Sequence, residues 1–196
     1  MPGVVAVTGA TGFLGRHLVR ALAEDGWTPR VLVRRDPIHP VWRDFDVEVV
    51  AGDLRTPGAL ARLSRGAEAV VHVAGLIKAR SLEDFNAVNR DGALAAAQAA
   101  RAAGARFILV SSLAAREPTL SNYAASKRAG EDALRAKVAS EPKLAAEAGA
   151  AWDQIAEAQT AAAELFAPTR MLESGAGGGA DNFYYARLLV RAALER

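Results

Sequence analysis

The sequence predicts an α/β fold: a doubly wound parallel sheet with helices on both faces, followed by an extra helical C-terminal segment. Three observations carry that expectation. An apolar, β-branched run ends at Thr8, glycines follow at positions 9, 12 and 15, and a helical pattern begins at once. Short apolar runs then alternate with longer helical patterns as far as about Lys137. The 196 residues suit one domain with a sizeable core.

The opening strand, turn and helix make a phosphate site. Glycine lets the backbone approach an anion, and the first turn of a helix presents unpaired N–H groups at the positive end of its dipole. A pyrophosphate fits such a turn, although one more residue separates the first two glycines than in Gly-x-Gly-x-x-Gly. The first helix is expected from Gly12 to about Glu24. Asp25-Gly26 stops it, and Thr28 to Val33 supplies a second strand, completing a βαβ unit. In such units the end of the second strand lies beside the adenosine ribose. Arg34 and Arg35 stand there, and guanidinium donors suit a 2′-phosphate, so NADP is preferred over NAD. Asp36 remains a possible ribose partner, and the arginines a solvated pair.

After a loop containing Pro37 and Pro40, a third strand at Val47-Glu48-Val49-Val50 leads into Gly52-Asp53-Leu54. Two readings stay open for Asp53: acceptance from an adenine amino group, or a cap or turn role for a helix from Pro57 to Leu63. Glu68 to Val73 is a fourth strand whose end, Ala74-Gly75, permits close backbone approach. His72 within it reads as a packed histidine, with no acidic partner at a suggestive distance. An alanine-rich helix is expected from about Leu82 to Ala103, and Gly104 closes it. The fifth strand, Arg106 to Val110, ends at Ser111-Ser112, in the carboxyl-edge zone where open α/β sheets bind ligands. Beyond a loop, Tyr123 and Lys127 stand four apart on a helix and share a face.

A strand ending in serine, then tyrosine and lysine one turn apart, suits proton transfer at a carbonyl or alcohol without metal. A tyrosine titrates near 10, so acting as a base near neutral pH requires a stabilised phenolate, and a nearby ammonium stabilises it. Ser112 could hold the substrate oxygen.

Composition excludes several classes. With 51% hydrophobic and 23% charged residues the chain is neither disordered nor membrane-like, and no apolar run reaches the roughly 20 residues that cross a bilayer. Met1-Pro2-Gly3 leads straight into a strand without a secretory pre-sequence, so a cytoplasmic location is expected. No cysteine is present and three histidines are scattered, so no disulfide, thiolate chemistry or metal site is expected. A net charge of +2 with dispersed arginines points away from nucleic acid.

Taken in order, Thr8-Gly9-Ala10-Thr11-Gly12-Phe13-Leu14-Gly15, Gly52-Asp53-Leu54, His72-Val73-Ala74-Gly75, Val88-Asn89, Ser111-Ser112 and Tyr123-Ala-Ala-Ser-Lys127 resemble the short-chain dehydrogenase/reductase superfamily. Within it they resemble the extended, NAD(P)-dependent epimerase/dehydratase branch, from Met1 to about Lys137. The resemblance implies a Rossmann-like fold with Gly9, Gly12 and Gly15 at the pyrophosphate, and Thr11, Phe13 and Leu14 in the same cofactor turn. It places Arg34 near the ribose, Asp53 and Leu54 at the adenine, and Ala74 and Gly75 along the cofactor. It implies Ser112, Tyr123 and Lys127 as the catalytic set, the last two also touching cofactor, with Asn89 supporting the lysine through water.

Two departures from that pattern stand out. The loop from Ser112 to Tyr123 is short, and no sixth strand, Arg-Pro segment or substrate-binding region is recognisable. The organisation expected is therefore a dinucleotide-binding domain over 1–138 and a helical segment over 139–196, packed on it. In that segment Leu144, Ala148, Trp152, Ile155, Ala162 and Phe166 fall at helical spacing. Thr169 to Leu172 suggests a brief strand, Gly175 to Gly179 a linker, and a last helix begins near Asp181. Three functional readings follow: an oxidoreductase or epimerase acting on a carbonyl or hydroxyl of an unidentified small molecule; a non-catalytic nucleotide-binding module; and a scaffold whose two small-residue helices, Leu82 to Ala103 and Asn122 to Lys137, pack against their copies as a homodimer.

Overall fold

The computed structural model describes residues 3–34 and 42–140. It divides into a compact unit spanning Met1–Leu134 and a second spanning Arg135–Arg196. The expectations for Arg35, Asp36 and the C-terminal segment after Ser140 lie outside the described residues.

Five strands, β1 (Val4–Thr8), β2 (Thr28–Val33), β3 (Glu48–Ala51), β4 (Ala67–His72) and β5 (Arg106–Leu109), form one parallel sheet in the order β3-β2-β1-β4-β5. The chain winds from β1 outward to β3, then returns to the other side of β1 for β4 and β5. Direction reverses between β1 and β4, the switch point where open α/β sheets bind ligands beyond their carboxyl ends.

Helix α1 (Phe13–Glu24) packs on β1 and β2, whereas α2 (Ala59–Ser64) and α4 (Asp91–Ala102) pack on each other and on the sheet. Right-handed crossovers running in opposite directions put these two sets on opposite faces. The central strands are buried on both sides and read as continuous apolar runs: Val5, Ala6 and Val7 of β1 and Val70 and Val71 of β4 have no exposed surface. One core cluster joins Ala6, Leu32, Val70, Leu63 and Ala100, so alanines on α4 let that helix lie close to the sheet.

The helix expected over Leu82 to Ala103 is two helices. α3 (Leu82–Asn89) ends at Arg90 and α4 begins at Asp91, Arg90 adopting φ −99° and ψ −62°. Close packing explains the break. A Cβ on Gly92 would lie 2.7 Å from Leu54, and one on Gly130 would lie 2.5 Å from the Asn89 carbonyl, so both segments are pinned to different neighbours. The helix carrying Tyr123 and Lys127 is α5 (Asn122–Ala139), reached from β5 through two 3-10 turns, Leu113–Arg116 and Pro118–Leu120.

Candidate functional site

The turn after β1 is built by backbone crowding. Gly9 has φ +70°, and a Cβ there would stand 2.5 Å from the Ala74 nitrogen, so the turn lies directly against the end of β4. A Cβ on Gly15 would come within 2.1 Å of the Gly9 carbonyl oxygen, which brings the first turn of α1 onto the loop. Gly12 caps α1 with extended backbone and no side-chain partner, and the helix has no acidic residue in its first turn. Its leading N–H groups are thus unblocked by carboxylate, and Thr11, Gly12 and Phe13 are exposed beside them while Leu14 is half-buried. A turn of this kind, with glycine wherever a side chain would meet backbone and with an exposed helix start, suits an anionic group. Phe13 packs edge-on against His17 with ring centroids 5.2 Å apart, and the Arg16 guanidinium sits 5.3 Å from its ring centroid.

Thr8 and His72, register partners at the ends of β1 and β4, hydrogen-bond at 2.9 Å between Oγ1 and Nδ1. The Ala74 N–H donates to the same Thr8 oxygen at 3.3 Å, fastening the end of β4 to the glycine turn. His72 is buried as expected. Burial, and next the Lys127 charge, push its pKa down to about 3, so it is neutral. Thr8 was not among the candidate residues. Its signal was available: a lone hydroxyl closing an otherwise apolar strand, register-matched to the lone histidine.

Asp53 forms a turn. Its Oδ1 accepts from the Arg55 N–H and the Thr56 hydroxyl, each at 2.9 Å, and its own N–H donates to Thr56 Oγ1. The Thr56 hydroxyl, then the Arg55 amide, hold its carboxyl below the usual range. The cap reading for α2 does not apply, since Gly58 occupies that position with φ +71°. Leu54 turns inward against Gly92 and the core, and Arg34 is exposed at the end of β2.

Asn89 is buried. Its Oδ1 accepts from the Leu76 N–H at 2.8 Å, and its Nδ2 donates to the Leu76 carbonyl at 3.0 Å and to Ser126 Oγ at 2.9 Å. Ser126 in turn donates to the Tyr123 carbonyl at 2.8 Å. One amide therefore ties the loop after β4 to the helix bearing Tyr123. The close approach that Gly75 permits is to this side chain, for a Cβ there would lie 3.2 Å from Asn89 Oδ1.

At the exit of β5, Lys127 keeps 6% of its surface exposed and donates from Nζ to the Val110 carbonyl at 2.8 Å. Burial pushes its ammonium below the ordinary lysine range, and Glu131 opposes that push. Ser111 Oγ donates to Glu131 Oε1. Ser112 Oγ accepts from the Ala114 N–H at 3.2 Å, which leaves its hydroxyl proton for donation elsewhere. Tyr123 is half-buried, with its ring centroid 6.3 Å from that of Phe85. The strand exit bearing Ser112 and the helix bearing Tyr123 and Lys127 are thus joined by two hydrogen bonds. Among the described residues there is no cluster of metal-ligating side chains and no helix long and apolar enough to cross a membrane.

The family model for the NAD-dependent epimerase/dehydratase family matches residues 5–144. A second model, Peptidase S46, matches residues 110–196, less than half of the chain and mostly beyond the described residues. The sequence is 82% identical over 134 residues to the ceramide reductase of Caulobacter vibrioides, covering 68% of this chain and 42% of that protein. Its fold is similar to a short-chain dehydrogenase/reductase superfamily protein from Agrobacterium tumefaciens with bound NAD: 28% identity, TM-score 0.58, 68% of this chain and 44% of that one. It is also similar to uronate dehydrogenase from Agrobacterium tumefaciens, with 26% identity, TM-score 0.57, and 72% and 57% of the two chains covered. The chain spans less than half the length of the curated relatives it matches.

Proposed function

This chain belongs to the NAD-dependent epimerase/dehydratase family, within the extended branch of the short-chain dehydrogenase/reductase superfamily, and on that premise we propose that it interconverts a carbonyl and a hydroxyl group with NADP(H) as cofactor. The observation that carries the reading is the buried Lys127 ammonium, hydrogen-bonded to Val110 two residues before Ser112 and one helical turn beyond Tyr123. The Gly9, Gly12 and Gly15 cradle would hold the pyrophosphate, and Arg34 would face the ribose. A bound nicotinamide dinucleotide gives or takes the hydride.

The chain's own groups handle the oxygen and its proton. Ser112 donates its hydroxyl hydrogen to the substrate oxygen, and the Tyr123 hydroxyl gives up or recovers the proton there. Lys127, one helical turn from Tyr123 on α5, would supply a positive charge on the same helix face. The substrate we propose carries an apolar chain. Ile77 exposes 74% of its surface on the loop after β4, Leu113 and Leu120 expose 76% and 77% on the segment between Ser112 and Tyr123, and the reductase of Caulobacter vibrioides is named for a ceramide.

Titration with NADPH and NADH by fluorescence, followed by turnover on long-chain and short-chain ketones, tests this. Wild type should bind NADPH and reduce the long-chain ketone. Tyr123→Phe should bind NADPH within about threefold of wild type and lose roughly 10²- to 10⁴-fold in kcat. Binding without turnover in wild type would leave a nucleotide-binding module, and binding of neither nucleotide would overturn the proposal.

A further inference from the structure

A charge on an ammonium nine-tenths buried is costly unless a counter-charge stands near it, and a backbone carbonyl supplies only a dipole. Lys127 is in that position, with the Val110 carbonyl as its hydrogen-bond acceptor. Along α5, Tyr123, Lys127 and Glu131 recur every four residues and lie on one face. Glu131 accepts a hydrogen bond from the hydroxyl of Ser111, the residue between Val110 and Ser112.

We propose that Glu131 is a positioning residue for Lys127: clasped by Ser111 at the exit of β5, its carboxylate stands one helical turn beyond the lysine and supplies the negative charge the buried ammonium requires. This rests on the role given to Lys127 above. Two consecutive residues of the strand exit are fastened to two consecutive turns of α5, Val110 by Lys127 and Ser111 by Glu131, so Ser112 follows from a fixed point. The same carboxylate opposes the effect of burial on the Lys127 ammonium. Other titratable groups toward the lysine are Tyr123 on the same helix and His72 from β4, which burial keeps neutral, so the opposing charge falls to Glu131.

The chain contains four lysines, at positions 78, 127, 137 and 143. An NMR titration of lysine-labelled full-length protein can therefore follow Lys127 directly, its signal identified by its loss in Lys127→Arg. In wild type Lys127 should titrate below the ordinary lysine range. Glu131→Gln, which keeps an acceptor for Ser111 but removes the charge, should lower that midpoint further, by about one pH unit or more. Ser111→Ala, which keeps the charge and removes the clasp, should move it by less than half as much, and Glu131→Asp should fall between wild type and Glu131→Gln. An unchanged midpoint in Glu131→Gln, or equal shifts in Glu131→Gln and Ser111→Ala, would overturn the proposal. Should Glu131→Gln not fold, Glu131→Asp carries the same decision: no shift overturns. The measurement needs no substrate, so its failure is distinct from a failure of turnover. Where turnover is present, the alkaline limb of kcat/KM should move to lower pH in Glu131→Gln and stay near wild type in Ser111→Ala.

Discussion

After β1 the chain is held mainly by backbone against backbone, with a Gly15 hydrogen facing the Gly9 carbonyl and Gly9 itself against Ala74, beside the Thr8 hydroxyl that accepts from the Ala74 N–H. After β5 it is held by side chains, Lys127 on Val110, Glu131 on Ser111 and Ser112 on Ala114. Both turns sit at the carboxyl edge of the same parallel sheet. Under the proposed function the difference follows from what each would meet. A pyrophosphate is large and anionic and wants bare N–H groups at close range. A proton in transit wants titratable groups whose spacing and charge are set by other side chains. The first turn should therefore tolerate almost no added atom, and the second should fail through charge and hydrogen bonding.

Gly15→Ala is the strongest way to break the first half of that contrast. Its methyl group would need to stand 2.1 Å from a backbone oxygen that no rotamer can move. We expect a loss of at least about 3 kcal/mol in urea unfolding and a hundredfold or greater loss in NADPH affinity. A Kd within threefold of wild type would show that the turn is not rigid against α1.

Asn89→Ala tests the side-chain half. It removes the partner of both Leu76 backbone groups and of Ser126 while adding no bulk. Leaving such groups unpaired costs about 1–3 kcal/mol each, reduced where water can enter, so a net loss of about 2–4 kcal/mol is expected. A loss below about 1 kcal/mol in the same urea experiment would mean that the loop after β4 is held by packing instead.

These two substitutions also mark what the sequence made legible. Glycine's effect is local, so spacing at 9, 12 and 15 after an apolar strand was enough to place a tight strand-to-helix turn, and the parallel α/β sheet followed from the alternation of elements. Asn89 acts on residues 13 and 37 positions away, and no spacing rule pairs an asparagine with them. Its place in the site came from resemblance, and its actual partners came from the fold. The break at Arg90 was hidden for the same reason. Alanines on both sides favour one long helix, whereas the fold sets Gly92 against Leu54 and the Asn89 carbonyl against Gly130, contacts that no local pattern shows. For Asp53 the residues left two readings. The fold shows the turn, bound to Thr56 and Arg55, and excludes the helix cap.

His72 lies between the two regions, bonded to Thr8 on one side and electrostatically coupled to Lys127 on the other. Its ordinary pKa near 6.5 falls to about 3 in the fold, so the unfolded chain takes up a proton that the folded chain refuses. Stability from this group is complete above pH 6.5 and is lost as pH falls toward 3, at up to about 1.4 kcal/mol per pH unit. Urea unfolding at pH 7, 6 and 5 should show that slope in wild type and lack it in His72→Gln. Equal slopes would place the pH dependence on carboxylates elsewhere.

The smallest expected effect bears on Arg34, a proposed cofactor contact that neither kind of packing fixes. Arg34 is exposed at the end of β2, beyond the crowded glycines and away from the hydrogen-bonded exit of β5. Removing it should leave the fold untouched, because its side chain supports nothing in the core. A 2′-phosphate would still lose a bidentate donor, and a 2′-hydroxyl would lose little. Arg34→Ala should therefore weaken NADPH roughly tenfold and NADH less than about twofold, with an unchanged urea midpoint. Equal losses for the two nucleotides would remove the basis for an NADP preference while leaving the glycine cradle as the common anchor. Unequal losses would sharpen the contrast: in the proposed complex the pyrophosphate is recognised by shape at a turn that admits no added atom, and the choice between nucleotides rests on a side chain that can change without cost to the fold.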